Sequence, residues 1–328
     1  MKYVVVGGAG FIGSNIVDKL IEQDHKVVVV DNLSTGKKEN ISYVGHLKRN
    51  VELCEIDISD TSESESLVEA MKGADTVFLL AAKARVQPSI EEPVEYEQNN
   101  TIGTLNVLKC ASDAGVRRVV YSASSSAYGD TDKLPSVESD PVNPLSPYGA
   151  QKYYGEVMCR MFSQVYGIET VSLRYFNIYG ERQNVGGAYA MVIGIFVDQL
   201  LKGGPMTIRG DGEQRRDFTY VGDVVNANIL ASQSKKVGKG EVINIGNGDN
   251  RSINEIADMV GGDRVNIDPV IEPKATLANN SLAEKLLGWK PTQNIEEWIP
   301  KYKKDIGLFD EDNNDENNIW GYETGGEG

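Results

Sequence analysis

The chain has 328 residues, 40% hydrophobic and 25% charged, with a formal net charge of −15. That length accommodates one large α/β domain or two smaller ones, and the acidic balance argues against nucleic acid as a partner. Apolar runs stay far below the roughly 18 residues of a membrane span, so no membrane association is expected. Three cysteines, Cys54, Cys110 and Cys159, suggest a reducing compartment rather than a disulfide framework. Two histidines, His25 and His46, leave little for a histidine metal site or a Ser-His-Asp triad, and no metal is expected. The opening "MKYVVVGGAG" has no signal-peptide layout, and a cytoplasmic location is expected.

In chain order, "KYVVVGG" reads as a strand entering a glycine turn, and "SNIVDKLIEQD" has apolar residues at helical spacing. "HKVVVVDN", "VELCEIDI" and "DTVFLLAA" are continuous apolar runs, the pattern of strands buried on both faces. "NNTIGTLNVLKCASDAG" is amphipathic and closes at Gly115, and "VRRVVYSAS" is another strand. This alternation predicts an α/β, Rossmann-type, doubly wound parallel sheet over residues 1–175, with some later segments returning to it. Residues 176–308 read as a smaller mixed α/β substrate lobe, with helical "MVIGIFVDQLLKG", "VGDVVNANILAS" and "SINEIADMVGG" and short strands "PMTIRG" and "EVINIGN". "SLAEKLLGWKP" is a short helix closed by Gly288. Residues 309–328 carry seven acidic side chains and no basic one, which predicts a mobile tail; docking through Trp320 and Tyr322 is the alternative.

Three stretches carry chemistry. In "VVVGGAGFIG", Gly7, Gly10 and Gly13 lie between strand and helix, where they permit a tight turn, a close approach to a pyrophosphate and close helix packing. Phe11 and Ile12 fall inside this turn and are expected beside the cofactor. Asp31 ends the next strand, with Asn32 after it; its carboxylate suits ribose hydroxyls and repels a 2′-phosphate, which favours NAD over NADP. Asp57 and Ile58 could flank the adenine, though an aspartate there also serves as a turn former. "YSASSSAYG" places Ser122, Ser124, Ser125 and Ser126 at the strand edge where such sheets bind ligands, or simply in a polar loop. In "LSPYGAQKYYGE", Ser146 reads as an N-cap and Pro147 as the first helical residue. Tyr148 and Lys152 then share one face at i and i+4, about 6 Å apart. That pair is either a solvated surface pair or a base: an ammonium and a positive nicotinamide ring would draw down the phenol's pKa from about 10.

Together "GGAGFIG", "SASSSAYGD", "LSPYGAQK", "LRYFNIYGERQ", "GDGEQRRDFTYVGDV", "NIGNG" and "LLGWKP" resemble the extended short-chain dehydrogenase/reductase family, specifically its nucleotide-sugar 4-epimerases, over residues 1 to about 305. The resemblance implies Ser124, Tyr148 and Lys152 as the catalytic group. It places Leu80, Ala81, Ala82, Asn99 and Tyr175 against the nicotinamide half of NAD, with Ser122 close by. It sets Asn177 and Arg216 at the substrate diphosphate, and Tyr189, Ala190, Met191 and Val192 over the uracil. A homodimer built on helices around 93–114 and 147–166 is also implied.

Some positions depart from that pattern. Val6 replaces a threonine, Pro269 or a neighbour replaces a second phosphate-binding arginine, with Lys274 as a possible substitute, and Asn279 replaces an aspartate. Ser125 and Ser126 follow the catalytic serine where dehydratases and decarboxylases carry acids, so re-reduction of the 4-keto sugar is expected. Thr276 stands where epimerases that reject N-acetyl sugars carry a tyrosine. The expected reaction is therefore NAD-dependent 4-epimerisation of UDP-GlcNAc/UDP-GalNAc, and also of UDP-Glc/UDP-Gal. The alternatives are a UDP-glucuronate 4-epimerase, a dehydratase, decarboxylase or reductase of the family, or a non-catalytic NAD-binding sensor or scaffold.

Overall fold

Val4, Val5 and Val6 are all fully buried although successive side chains of a strand point to opposite faces. Both faces of this strand must therefore be covered, and helices cover them. The computed structural model describes residues 1–42, 50–185 and 191–308. The acidic segment 309–328, and Tyr189 and Ala190, lie outside the described residues.

Strands β1 (Lys2–Val6), β2 (Lys26–Val30), β3 (Val51–Cys54), β4 (Thr76–Leu79), β5 (Arg118–Ser124) and β6 (Glu169–Tyr175) alternate with helices α1 (Phe11–Glu22), α2 (Lys38–Ser42), α3 (Ser64–Met71), α4 (Val86–Glu91), α5 (Pro93–Glu97), α6 (Gly103–Asp113) and α7 (Pro147–Val165). Beyond them come β7 (Asn177–Tyr179), α8 (Val192–Leu201), β8 (Met206–Arg209), β9 (Arg215–Tyr220), α9 (Val221–Gln233) and β10 (Lys239–Ile245). The last elements are β11 (Asn250–Ser252), α10 (Ile253–Val260), β12 (Arg264–Ile267), α11 (Ser281–Leu287) and α12 (Ile295–Asp305).

The main sheet is parallel and seven-stranded, in the order β10-β6-β5-β4-β1-β2-β3. This is the expected doubly wound, Rossmann-type architecture. Tyr3 and Val5 face one core with Ile16, Leu20 and Trp289, while Val4 and Val6 face the other with Leu67, Val107 and Phe162. Burying one such aliphatic side chain contributes roughly 1.5–3 kcal/mol. The strand order reverses direction between β1 and β4, and open α/β sheets bind ligands in that crevice.

The second part of the chain divides its loyalties. Strand β10 pairs with β6, and α9 supplies Val221, Val224 and Val225 to the first core. The remainder forms a lobe of a three-stranded sheet, β11-β9-β7, and a parallel pair, β12-β8, around Phe196, Phe218, Ile256 and Trp298. Asp217 on β9 fastens the lobe. Its carboxylate accepts hydrogen bonds from the backbone of Asn247 (2.6 Å), Gly248 (3.0 Å) and Ala278 (3.0 Å). Burial pushes its pKa up to about 6, and those bonds work the other way.

Two consequences can be measured. A carboxyl raised in the folded state binds protons there before it does in the unfolded chain. The contribution of Asp217 to stability therefore falls as pH rises from about 4 to about 6, by a few kcal/mol at most. Asp217→Asn turns an amide N–H toward backbone donors and should lower stability by about 1–3 kcal/mol. Urea denaturation across this pH window reads both; an unchanged midpoint at pH 7 in the variant contradicts the fastening role.

Candidate active site

The glycine turn comes first. Gly7 has φ +84°, which glycine adopts at little cost. A Cβ on Gly7 would stand 2.6 Å from the Ala81 nitrogen, and one on Gly13 would stand 2.1 Å from the Gly7 oxygen. Side chains are excluded because β1 and β4 emerge side by side with α1 laid across them. The first turn of α1 has no side-chain cap at Gly10. Its free N–H groups and the positive end of the helix dipole suit an anion.

Asp31 closes the next edge. Its two oxygens accept hydrogen bonds from Ala9 and Leu33 nitrogens, both at 2.9 Å, and burial raises its pKa against them. Each oxygen keeps a lone pair for a ribose hydroxyl. Asn32 lines the same cavity and donates to Asp57 at 2.9 Å. Asp57 stands behind that wall. Burial works to raise its pKa, but hydrogen bonds from Ser59 and Asn32 outweigh this and hold it low. Ile56 and Ile58 line the cavity beside it.

One cavity of about 880 Å³ runs from this turn to the lobe, toward the upper end of the roughly 300–1,000 Å³ usual for small-molecule sites. It takes in Gly7, Gly10, Phe11, Ile12, Gly13, Asp31, Leu80, Ala81, Ala82, Asn99, Ser124, Ser125, Ser126, Tyr148, Tyr175, Asn177, Met191, Val192, Arg216 and Thr276. Among the described residues, no group of His, Cys, Asp or Glu is arranged to hold a metal ion. No helix among them is long and apolar enough to cross a membrane.

Tyr148 arrives on the first turn of α7. Ser146 caps that helix, accepting from Gly149 at 3.2 Å, and Pro147 is its first residue, as the sequence predicts. The Tyr148 backbone donates to Ser89 of α4 at 3.2 Å. Ser124 ends β5; its hydroxyl lies close enough to the phenol of Tyr148 to influence its titration, and it donates to Ser126 at 3.0 Å. A short relay of hydroxyls thus leads away from the phenol.

Lys152 follows Tyr148 by one turn on α7. Its ammonium is buried behind the cavity wall, donates to the Ser122 carbonyl at 2.9 Å and lies 5.1 Å from the Tyr121 ring centroid. Burial pushes its pKa down to about 8. Burial likewise raises the pKa of Tyr148, and the influences that lower it are the nearby Ser124 hydroxyl and the charge of Arg85. The hydrogen bond to Ser122 ties the ammonium to the end of β5, the strand that also carries Ser124. Ser122 supports both partners of this edge: its hydroxyl bonds Tyr175 at 3.0 Å, and Tyr175 in turn bonds Asn228.

Asn99 sits in a π-helical turn, Gln98–Ile102, of a kind that recurs at functional sites. Asn99 and Asn100 both accept from the Lys83 nitrogen, at 3.2 and 2.8 Å, which fixes the loop after β4.

At the lobe end Arg216 is buried and ion-paired to Glu272, which also lines the cavity. Sequence reasoning missed Glu272. Its only signal was an acid in the segment searched for an arginine. It also missed Arg85, which follows the paired alanines after β4 and lines the cavity near Tyr148. Lys274 is exposed, and its backbone N–H donates to Asp130 at 3.0 Å. Asn279 is spent on a local turn with Ser136 and Ser281. Arg215 is partly exposed and paired with Glu255. Thr276 bonds the Asp217 nitrogen at 3.2 Å and presents a small side chain to the cavity.

Comparison with known proteins agrees with this geometry. Residues 3–246 match the model of the NAD dependent epimerase/dehydratase family. A UDP-glucose 4-epimerase from Mycolicibacterium smegmatis is 35% identical over 92% of this chain and 97% of its own length. The solved UDP-N-acetylglucosamine 4-epimerase from Methanobrevibacter ruminantium, in complex with UDP-N-acetylmuramic acid, is 37% identical. It superposes with a TM-score of 0.86, covering 94% of this chain and 99% of that one. A mutant UDP-glucuronic acid 4-epimerase from Bacillus cereus, solved with UDP-4-deoxy-4-fluoro-glucuronic acid and NAD, is 32% identical. Its TM-score is 0.85, over 93% of this chain and all of the other.

The side-chain-free turn and the Asp31 carboxylate fit a dinucleotide. Asp31→Ala removes a charged acceptor worth about 1.5–3 kcal/mol. Dinucleotide content of the purified protein, measured after acid release, should fall at least about tenfold, and discrimination against the 2′-phosphorylated form should shrink. Unchanged content in the variant would remove Asp31 from the site.

Proposed function

The chain belongs to the NAD dependent epimerase/dehydratase family and is an NAD-dependent UDP-sugar epimerase; from that premise we propose that it interconverts UDP-GlcNAc and UDP-GalNAc at C4 and also accepts UDP-Glc and UDP-Gal. The observation that carries this reading is the meeting of Tyr148 and the Ser124–Ser126 hydroxyls in one cavity with the glycine turn and Arg216. Bound NAD supplies reversible hydride acceptance from one sugar carbon.

The chain's own residues supply the rest. Tyr148 takes the proton of the 4-hydroxyl as general base, with Ser124 holding the phenol and passing the proton on. Lys152 keeps a positive charge behind this edge. Arg216 grips the diphosphate through its planar fork, with Glu272 as the carboxylate the substrate must displace or share. Asn177, Met191 and Val192 frame the nucleotide. Ser125 and Ser126 offer no carboxylate to remove water or carbon dioxide, so an oxidised sugar is reduced again, on either face. Thr276 leaves room for a 2-acetamido group, and the 37%-identical relative is a UDP-N-acetylglucosamine 4-epimerase.

One observation favours a second reading. The Arg85 guanidinium lines the cavity and its charge reaches Tyr148, which sets it near the reacting sugar carbons. A sugar carboxylate would suit it, and a solved relative is a UDP-glucuronic acid 4-epimerase. For assembly we propose a homodimer across α5, α6 and α7, whose outer faces expose Val94, Tyr153 and Val157.

Incubation of purified protein without added cofactor, separately with UDP-GlcNAc, UDP-Glc and UDP-glucuronate, ranks the readings by chromatography of the products. Epimers of the first two are expected. A released keto sugar, or a need for added reductant, contradicts epimerisation. Tyr148→Phe should lower kcat about 10²-fold or more. Thr276→Tyr should suppress the N-acetyl reaction while sparing UDP-Glc. Arg85→Met should leave KM for UDP-GlcNAc within about twofold; a rise of tenfold or more confined to UDP-glucuronate supports the second reading. Sedimentation of Val94→Asp/Val157→Asp should show monomer where the unaltered chain is dimeric.

A further inference from the structure

Lys152 lies between two groups of β5. Its ammonium donates to the Ser122 carbonyl at 2.9 Å, and the Tyr121 ring centroid is 5.1 Å away. A cation within about 6 Å of an aromatic face is attracted by the ring quadrupole, more so once water is excluded. Both residues are buried here, Tyr121 at 1% exposure and Lys152 at 4%.

Several contacts hold the ring in place. The Tyr121 hydroxyl donates to the Lys152 carbonyl at 3.4 Å and lies close to the side chain of Thr104 on α6. Gly155, one turn after Lys152 begins, lets the helix settle on the ring: a Cβ there would stand 2.2 Å from the Tyr121 hydroxyl oxygen. Helix α7, strand β5 and helix α6 therefore meet at this tyrosine. None of this is needed merely to fill a core. A branched aliphatic residue would occupy the space without presenting a π face to the cation.

We propose that Tyr121 is a positioning residue for the reaction, whose ring face holds the Lys152 side chain in its charged form at the end of β5. The inference rests on the epimerase reading for its bearing on catalysis, and on geometry alone for its bearing on Lys152.

Other groups that face this ammonium do not take over the task. On α7, the Cys159 thiol is pushed up to about 12 by burial and stays neutral, and Tyr148 is raised. Tyr175 of β6, which bonds Ser122, is pushed up to about 12. Glu156 is turned away into a bidentate pair with Arg174 at 2.7–2.8 Å. Without the ring, the Ser122 carbonyl is the one hydrogen-bond acceptor left to the ammonium among the described residues, and Lys152 should lose its proton at lower pH.

The test replaces Tyr121 in the NAD-loaded enzyme with Phe, with Met, and with a series of increasingly fluorinated phenylalanines that keep the ring's shape while weakening its quadrupole. Two quantities are followed: the alkaline limb of kcat, and the titration of Lys152 by NMR of ¹³Cε-labelled lysine, assigned with Lys152→Met. Tyr121→Phe should titrate with the unaltered protein. Tyr121→Met and the most fluorinated ring should move both limbs down by about 0.5–1 pH unit. KM should stay within about twofold.

A stepwise shift along the fluorine series, with no parallel change in thermal midpoint, reports the ring's quadrupole rather than altered packing. If the Lys152 titration is the same in all variants, or if Tyr121→Phe shifts as far as Tyr121→Met, the proposal is overturned. If the NMR titration moves but no UDP-sugar is turned over by the unaltered protein, the epimerase reading fails and the Tyr121–Lys152 coupling stands.

Discussion

The contact on which the site depends is a single hydrogen bond across two elements, from the Lys152 ammonium on α7 to the Ser122 carbonyl at the end of β5. Strand β5 delivers Ser124, and α7 delivers Tyr148. Neither element positions the hydroxyl pair alone. The hydrogen bond sets how far along the strand the helix sits, and Gly155 and the Glu156–Arg174 pair set how close it lies. A buried ammonium left without partners would be costly, so the bond, the ring of Tyr121 and the register of helix on strand stabilise one another.

The second theme is local charge against global charge. The chain carries −15 overall, yet the substrate class of its family is anionic. The cavity resolves this with a few placed cations, Arg85 near the phenol and Arg216 in the lobe, and with the bare N-terminus of α1. Glu272 opposes them by occupying Arg216. Net charge governs long-range encounter, whereas recognition is decided by fixed donors a few ångströms away in a poorly screened pocket.

Much of this was legible in the sequence. Continuous apolar runs such as the four valines 27–30, glycines at defined spacing and an Asp at the end of the second strand are local signals, and they gave the parallel sheet and the turn correctly. Ser146 and Pro147 marked the start of α7 to the residue. What stayed hidden depends on partners far away in the chain. The i, i+4 spacing put Lys152 beside Tyr148 but could not say that the Ser122 carbonyl would accept the ammonium's hydrogen bond. The π-helical turn at Gln98–Ile102 inserts a residue that no hydrophobic period announces. Glu272 became visible only once β9 brought Arg216 opposite it, and the parallel pairing of β8 with β12 joins segments more than fifty residues apart.

The return of β10 to the main sheet has a consequence for how the molecule can be made or divided. The lobe is built from two stretches, one between the adjacent strands β6 and β10 and one after β10, so no single cut separates it from the body. A chain ending after β6 would leave that strand's N–H and C=O groups as an open edge, with Val171 and Leu173 uncovered, which is a template for intermolecular pairing. During synthesis the sheet stays unsealed until residue 245 has emerged, and β9 and β8 wait longer still for their partners β11 and β12.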